Sequence, residues 1–240
     1  MFVKKYFEIG SGNVPVILSC VHGGYIKPKR IPDKLVGPTI ADQNTYFLSK
    51  MIINGLIDNE VQIYYILNKI HRSKIDLNRP ALSTTAINQE CIEALNIHNL
   101  FHDYLDKFTQ ECILNYKRCL LLDLHGFTKP TREYPDVIFG HVFGKTLTEV
   151  QDSAYTDCNK FWGCAQLQDE ISKIFTLDDG LGINNFNLSY SGGYITQRFY
   201  NQRKINAIQI EIAKYIRTDG DLAKKIVHAL ISAILSSLQD

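Results

Sequence analysis

The sequence predicts an α/β sandwich, one sheet with helices on both faces. Three observations predict it. Short apolar runs alternate with amphipathic helical patterns along the chain. The run over residues 119–124 is apolar almost throughout, as in a strand buried on both faces. A chain of 240 residues is also long enough to bury a full core without staples.

The elements follow in order. Residues 14–19 read as the first strand, and residues 43–56 as a helix. Residues 61–67, rich in Val, Ile and Tyr, read as a second strand. Within residues 89–116, Ile97, Phe101, Leu105, Phe108 and Cys112 fall at three- and four-residue spacing and make one apolar helix face. Residues 119–124, 137–139 and 206–212 complete the strands. The last helix repeats Leu222, Ile226, Leu230, Ile234 and Leu238 every four residues, a core-packing stripe. Thr218 and Asp221 resemble a capping box at its start. Pro28, Pro32 and Pro38 mark an ordered loop, and no repeat or low-complexity linker divides the chain, so residues 1–240 read as one domain. Residues 146–187 match no recognisable pattern.

Composition narrows the class. Lys+Arg 26 against Asp+Glu 25 leaves a net charge of +1, with no broad electrostatic claim on nucleic acid or an anionic membrane. The 45% hydrophobic and 11% aromatic content excludes disorder as the general state. Six cysteines without a Cys-x-x-Cys pair suit thiols in a reducing compartment. The first ten residues lack an apolar signal region, and no window is apolar for about 18 residues. The expectation is a cytoplasmic protein that binds neither nucleic acid nor membrane.

In α/β sheets, ligands bind beyond the carboxyl ends of strands. By this reading His22 follows the first strand, Asp76, Asn78 and Arg79 follow the second, His125 follows the third, and Glu211 sits late in the last. His22 and His125 are each followed at once by Gly, which admits close approach of an ion or substrate. Neutral imidazole suits zinc, and a catalytic zinc site needs three protein ligands and an open position. Asp42 is the candidate third ligand, although Asp at a helix start is equally an N-cap. Glu211 in an apolar run needs solvent, an ion pair or a metal-bound water as partner. Arg72 and Arg79, seven apart, suit carboxylate binding or oxyanion stabilisation, or a surface turn. Gly192-Gly193-Tyr194-Ile195-Thr196 marks a turn or a close backbone approach. His98 and His102, four apart on a helix, have no acid partner and read as packing.

Taken in order, these pieces resemble the N-formylglutamate amidohydrolases, relatives of zinc carboxypeptidases and aspartoacylases. The matching segments are Val21-His22-Gly23-Gly24, Ala41-Asp42, Arg72 with Ile75-Asp76-Leu77-Asn78-Arg79-Pro80, Asp123-Leu124-His125, Gly192-Gly193-Tyr194-Ile195-Thr196 and Ala207-Ile208-Gln209-Ile210-Glu211. The resemblance implies a three-layer α/β/α sandwich with a mixed central sheet, of the zinc-carboxypeptidase type. It implies one Zn2+ per chain on His22, Asp42 and His125, with Glu211 as acid/base for the zinc-bound water. Arg72 would polarise the scissile carbonyl, and Asn78 with Arg79 would hold a substrate carboxylate. Gly192, Gly193, Tyr194 and Arg198 would line the substrate. The carboxypeptidase relatives carry Glu three residues after the first His, where this chain has Tyr25. After the Gly-Gly-Tyr-Ile-Thr segment, Gln197 precedes Arg198 where the amidohydrolases often carry Arg directly. The implied activity is hydrolysis of a small acidic N-acyl amino acid. A different deacylase or carboxypeptidase-like peptidase, and a non-catalytic ligand-binding protein on the same scaffold, are the alternatives.

Overall fold

The computed structural model describes residues 5–148, 161–181 and 190–239. A seven-stranded sheet runs through it, made of β1 (Phe7–Gly10), β2 (Val16–Cys20), β3 (Tyr64–Asn68), β4 (Cys119–Phe127), β5 (Val137–Gly140), β6 (Leu177–Asp178) and β7 (Ile205–Ala213). The strand order is β1-β3-β2-β4-β7-β5-β6. The centre, β3-β2-β4-β7, is parallel. β1 joins β3 and β5 joins β7 in antiparallel sense, and β6 lies parallel to β5. The sheet is therefore mixed.

Helices α1 (Thr45–Ile57), α2 (Ile92–Tyr116), α3 (Cys164–Ser172), α4 (Tyr194–Gln197), α5 (Lys214–Thr218) and α6 (Gly220–Ser237) flank it. The period-2 alternation of the strands assigns the layers. Leu120, Leu122 and Leu124 pack with Leu48, Leu167 and Leu230, from α1, α3 and α6, on one face. Cys119 and Leu121 pack with Phe101, Leu105 and Phe108 of α2 on the other. Both faces of the parallel strands are covered, and each fully buried aliphatic side chain contributes about 1.5–3 kcal/mol. This is the three-layer sandwich that the alternating pattern and the resemblance anticipate.

Three boundaries differ from expectation in ways that matter. β4 runs on past residue 124, so His125 lies inside the strand rather than beyond its end, and β7 runs on to Ala213 with Glu211 inside it, as expected. The N-cap of α6 is Asp219, not Thr218: its Oδ1 accepts from the backbone N–H of Asp221 at 3.0 Å and of Leu222 at 2.9 Å. Thr218 is helical, within α5, and its hydroxyl donates to Lys214 O at 3.0 Å, so it has no extended geometry for capping. The uncharted stretch 146–187 contributes α3 and β6, and the rest of it lies partly outside the described residues.

His98 and His102 of α2 are buried, as a packing role requires. Their Nε2 atoms reach Arg79 O at 2.8 Å and Leu77 O at 3.0 Å, and so bracket Asn78. Burial, with the charges of His98 and Arg198 alongside, pushes the His102 pKa down to about 3. The folded chain therefore refuses a proton that the unfolded chain accepts below pH ~6.5. This contribution to stability is complete above pH ~6.5 and declines as pH falls toward 3. Melting temperatures measured across that window should fall less steeply for His102→Gln than for the parent chain.

Candidate active site

The pleat of the central strands turns from apolar to polar at one end. On the α2 side, the β4 row Cys119, Leu121 continues into Asp123 and His125. On the same side, the β7 row Ile205, Ala207 continues into Gln209 and Glu211. His125 and Glu211 are register partners on adjacent strands. His22 follows β2 by two residues, and its carbonyl accepts from Asp42 N–H at 3.0 Å, which draws the loop before α1 over the strand end.

These connections bring His22, Asp42 and His125 together, all three buried. His22 Nδ1 lies 3.1 Å from His125 Nδ1. Asp42 Oδ2 lies 3.4 Å from His22 Nδ1 and 3.3 Å from His125 Nδ1. The opposite ring nitrogens meet carboxylates: His22 Nε2 to Asp76 Oδ1 at 2.7 Å, and His125 Nε2 to Asp123 Oδ2 at 2.8 Å. A carboxylate only accepts, so each Nε2 carries the proton, a tautomer assigned from the partners. Both Nδ1 lone pairs then face each other and the Asp42 oxygen. Three such donors repel unless positive charge sits among them. Tetrahedral ligands at 2.0–2.1 Å from zinc stand about 3.3 Å apart, so the donor set fits a divalent ion in both chemistry and spacing.

The electrostatics agree. Burial pushes His125 down, but Asp123, Asp42 and Glu211 carry its pKa well above the usual imidazole value. Burial pushes Asp42 up, and the His22 and His125 rings hold it well below the usual carboxylate range. Positive charge is favoured at the point where the donors meet.

Glu211 is buried beside them. Its Oε1 accepts from Gln209 Nε2 at 2.7 Å, while Oε2 has no hydrogen-bond partner among the described residues. Burial raises its pKa, His125 opposes, and Asp42 adds to the rise. When ionised, a half-satisfied carboxyl whose pKa is raised is a ready proton acceptor.

A cavity of about 280 Å³ opens on the cluster, with Glu211, Arg72, Asn78, Arg79, Gly192 and Gly193 among its walls. Arg72 Nε donates to Asp76 Oδ2 at 3.0 Å, and its NH1 lies 3.5 Å from Asp42 Oδ1. Asn78 Oδ1 accepts from Ile195 N–H at 3.0 Å, and a Cβ on Gly193 would collide with the Asn78 amide. Gly193 N–H donates to Gln209 Oε1 at 2.6 Å. Arg79 makes no ion pair among the described residues and donates only to Asn78 O, at 3.1 Å.

Two expected substrate residues lie elsewhere. The Arg198 guanidinium grips both Asp106 carboxylate oxygens at 2.7 Å and lies 2.8 Å from His102 Nδ1. The Tyr194 ring packs on His102, centroids 5.4 Å apart. Both face α2 because α4 docks on it, and neither lines the cavity. His141 is also outside, held by Asp179 O and Gly144 N–H.

Asp42 is not an N-cap: Asn44 occupies that position of α1, with φ 67°. The glycines after the histidines are required by packing. A Cβ on Gly23 would strike Tyr46 N, and one on Gly126 would strike the Arg217 guanidinium.

Sequence reasoning missed four supporting residues. Asp123 was detectable, two positions before His125 and thus on the same strand face. Asp76 stood in a singled-out motif, but nothing marked it as the partner of His22. Gln209 carried no signal. Arg217 carried none either, yet it ties the site together. Its Nε donates to Ile212 O at 2.9 Å, NH2 to Phe127 O at 3.2 Å, and NH1 to Gln43 O. Asn44 Nδ2 donates back to Arg217 O at 2.8 Å. The carboxyl ends of β4 and β7 are thereby joined to the segment that presents Asp42.

The fold and the cluster define a three-layer α/β/α scaffold with a cradle of donors at the carboxyl ends of its parallel strands. The family model of N-formylglutamate amidohydrolase matches residues 89–216, and the chain belongs to that family of amidohydrolases. The match spans His125 and Glu211; His22, Asp42 and Arg72 lie upstream and are joined to them by the fold. Among solved structures, the N-formylglutamate amidohydrolase from Ralstonia eutropha JMP134 is 14% identical, over 98% of each chain, with a TM-score of 0.70. Gene product Atu2144 from Agrobacterium tumefaciens is 13% identical over 98% of this chain and 96% of its own, with a TM-score of 0.68. At such identities the likeness is one of fold. No curated protein matches the chain. Among the described residues no helix is long and apolar enough to cross a membrane.

Replacing Arg217 by Met leaves three carbonyls, two of them on the buried residues Phe127 and Ile212, without their donor. The loss should be about 3 kcal/mol of unfolding free energy, read by urea denaturation at neutral pH.

Proposed function

We propose that the chain hydrolyses the amide bond of a small acidic N-acyl amino acid, of the N-formylglutamate type. One Zn2+ per chain would be held by His22 Nδ1, Asp42 Oδ2 and His125 Nδ1. The observation that carries the reading is the convergence of those three lone pairs, with both outer imidazole nitrogens fixed by carboxylates. When bound, such an ion lowers the pKa of a coordinated water toward about 7 and polarises a carbonyl.

The chain's own groups supply the rest. Glu211 Oε2, buried and without a partner among the described residues, takes the proton of the attacking water and returns it to the departing amine. Gln209 holds the other oxygen and so fixes the rotamer. Arg72, braced by Asp76, donates to the oxygen that gains charge when the carbonyl is attacked. Asn78 and Arg79 take the α-carboxylate, and the Gly192-Gly193 backbone forms the adjoining wall. Arg198 and Tyr194 act at one remove, by seating α4 on α2 so that Ile195 N–H can hold the Asn78 amide. Asp76 and Asp123 orient the imidazoles, a task whose loss typically costs about 10–100-fold in metal affinity. We place the reaction in the cytoplasm, a setting suited to the five free thiols among the described residues.

Elemental analysis of protein purified without added metal should find one zinc per chain, and His22→Ala or His125→Ala should remove it. Glu211→Gln should keep the metal and lose about 100–10,000-fold in kcat for N-formylglutamate, the usual range for a general acid/base. Turnover by Glu211→Gln at the parent rate would refute the assignment.

A further inference from the structure

A second cavity, of about 500 Å³, adjoins the first. The two share Asp42, Arg72, Gly126 and Phe127 as common walls. The second extends away from Asn78 and Arg79, over the carboxyl ends of β4 and β7, and opens to solvent beside the exposed residues 37–40. Its own cations are Lys214 and Arg217. Lys214 is exposed and has no ion pair among the described residues. Arg217 is 4% exposed, and among the described residues its guanidinium hydrogen-bonds only neutral carbonyls. Three of the five guanidinium N–H bonds meet those carbonyls, which leaves donor capacity and a full positive charge uncompensated by a contacting carboxylate. With Arg72 the lining carries three cations against one anion, Asp42, whose Oδ2 is turned to the imidazoles. A cavity with that balance selects for anions.

We propose that this second cavity binds a carboxylate at the far end of the substrate's acyl group. The class of substrate is then an N-acyl amino acid whose acyl part is itself a dicarboxylic half-amide, such as a succinyl group. The inference rests on the amidohydrolase reading of the neighbouring site. The amino acid's own carboxylate goes to Asn78 and Arg79, so the scissile carbonyl lies at the shared wall and, among the described residues, the second cavity gives the acyl chain the Lys214 side to enter. In the reaction the water oxygen bonds to the acyl carbon and the C–N bond breaks. The proton taken from water goes to the amine, so a free dicarboxylate and the amino acid leave. Lys214 at the rim and Arg217 at the floor act on binding alone.

The test uses the full-length, zinc-loaded chain and two readouts. Calorimetric titration with succinate and with acetate isolates the second carboxylate, because both ligands offer one to the metal. Succinate should bind about tenfold or more tightly than acetate, and Lys214→Gln should remove most of that advantage. In turnover, the ratio of kcat/KM for N-succinylglutamate over N-formylglutamate should fall about tenfold in the same variant. Equal affinity of the two acids overturns the proposal. So does an advantage that survives Lys214→Gln and Lys214→Glu, or one removed by Arg79→Gln instead. If neither amide is cleaved, the amidohydrolase reading fails on its own, and the succinate titration still decides what the cavity binds.

Discussion

Two carboxylate–imidazole hydrogen bonds govern this molecule. Asp76 on His22 Nε2 and Asp123 on His125 Nε2 fix which nitrogen of each ring is protonated, and so point two bare lone pairs at one place. Each carboxylate is itself held. Asp123 accepts from Ser19 Oγ on the adjacent strand, and Asp76 from Asn78 N–H at 3.0 Å and Arg72 Nε at 3.0 Å. Removal of either carboxylate frees a ring to rotate or to move its proton, and the inward donor is lost with it.

The remainder of the fold serves to keep those partners in place. The parallel strands are rigid because both faces are buried, which suits a site that tolerates little positional error. The loop beyond β3 has almost no regular structure, so it depends on side chains. Lys34, from the segment between β2 and α1, is buried against it and donates to Pro38 O at 2.6 Å and Thr85 O at 3.0 Å. Asn68 Nδ2 donates to Val21 O at 2.7 Å and to Ile70 O at 2.8 Å, which ties the loop after β2 to the loop after β3. His98 and His102 hold the same region from α2. The polar loops that carry Asp42, Arg72 and Asn78 are thus braced from three sides.

How much of this could be read from the chain depends on the range of the interaction. The sandwich was legible because alternation and the α2 and α6 stripes are local patterns that burial then obeys. β1 was not, since four residues at a sheet edge with Glu8 among them carry little periodic signal. His22, His125 and Glu211 stood out because a polar group at the end of an apolar run needs a partner. The pairing of His22 with Asp76 spans 54 residues and that of Arg217 with Gln43 spans 174, and no spacing rule reaches so far. Arg198 shows the opposite error. A motif places it next to the glycines, but a helix of four residues can face either way, and the Asp106 carboxylate decides it.

Charge is partitioned across the site with a clear consequence. Asp42, Asp76, Asp123 and Glu211 crowd the imidazoles, while Arg79, Lys214 and Arg217 stand outside that ring of acids. Unit charges 4 Å apart in a partly buried setting interact by about 4 kcal/mol, so an anionic substrate approaching the bare acids meets a large barrier. A cation at the donor cluster removes that repulsion and leaves the outer cations to draw the substrate in. Occupancy of the two kinds of site is therefore linked: each ligand creates the field that the other requires. For the proposed substrate, the same acids that would exclude a carboxylate from the centre would also force its charged ends outward, and so set the scissile bond between the two cationic walls.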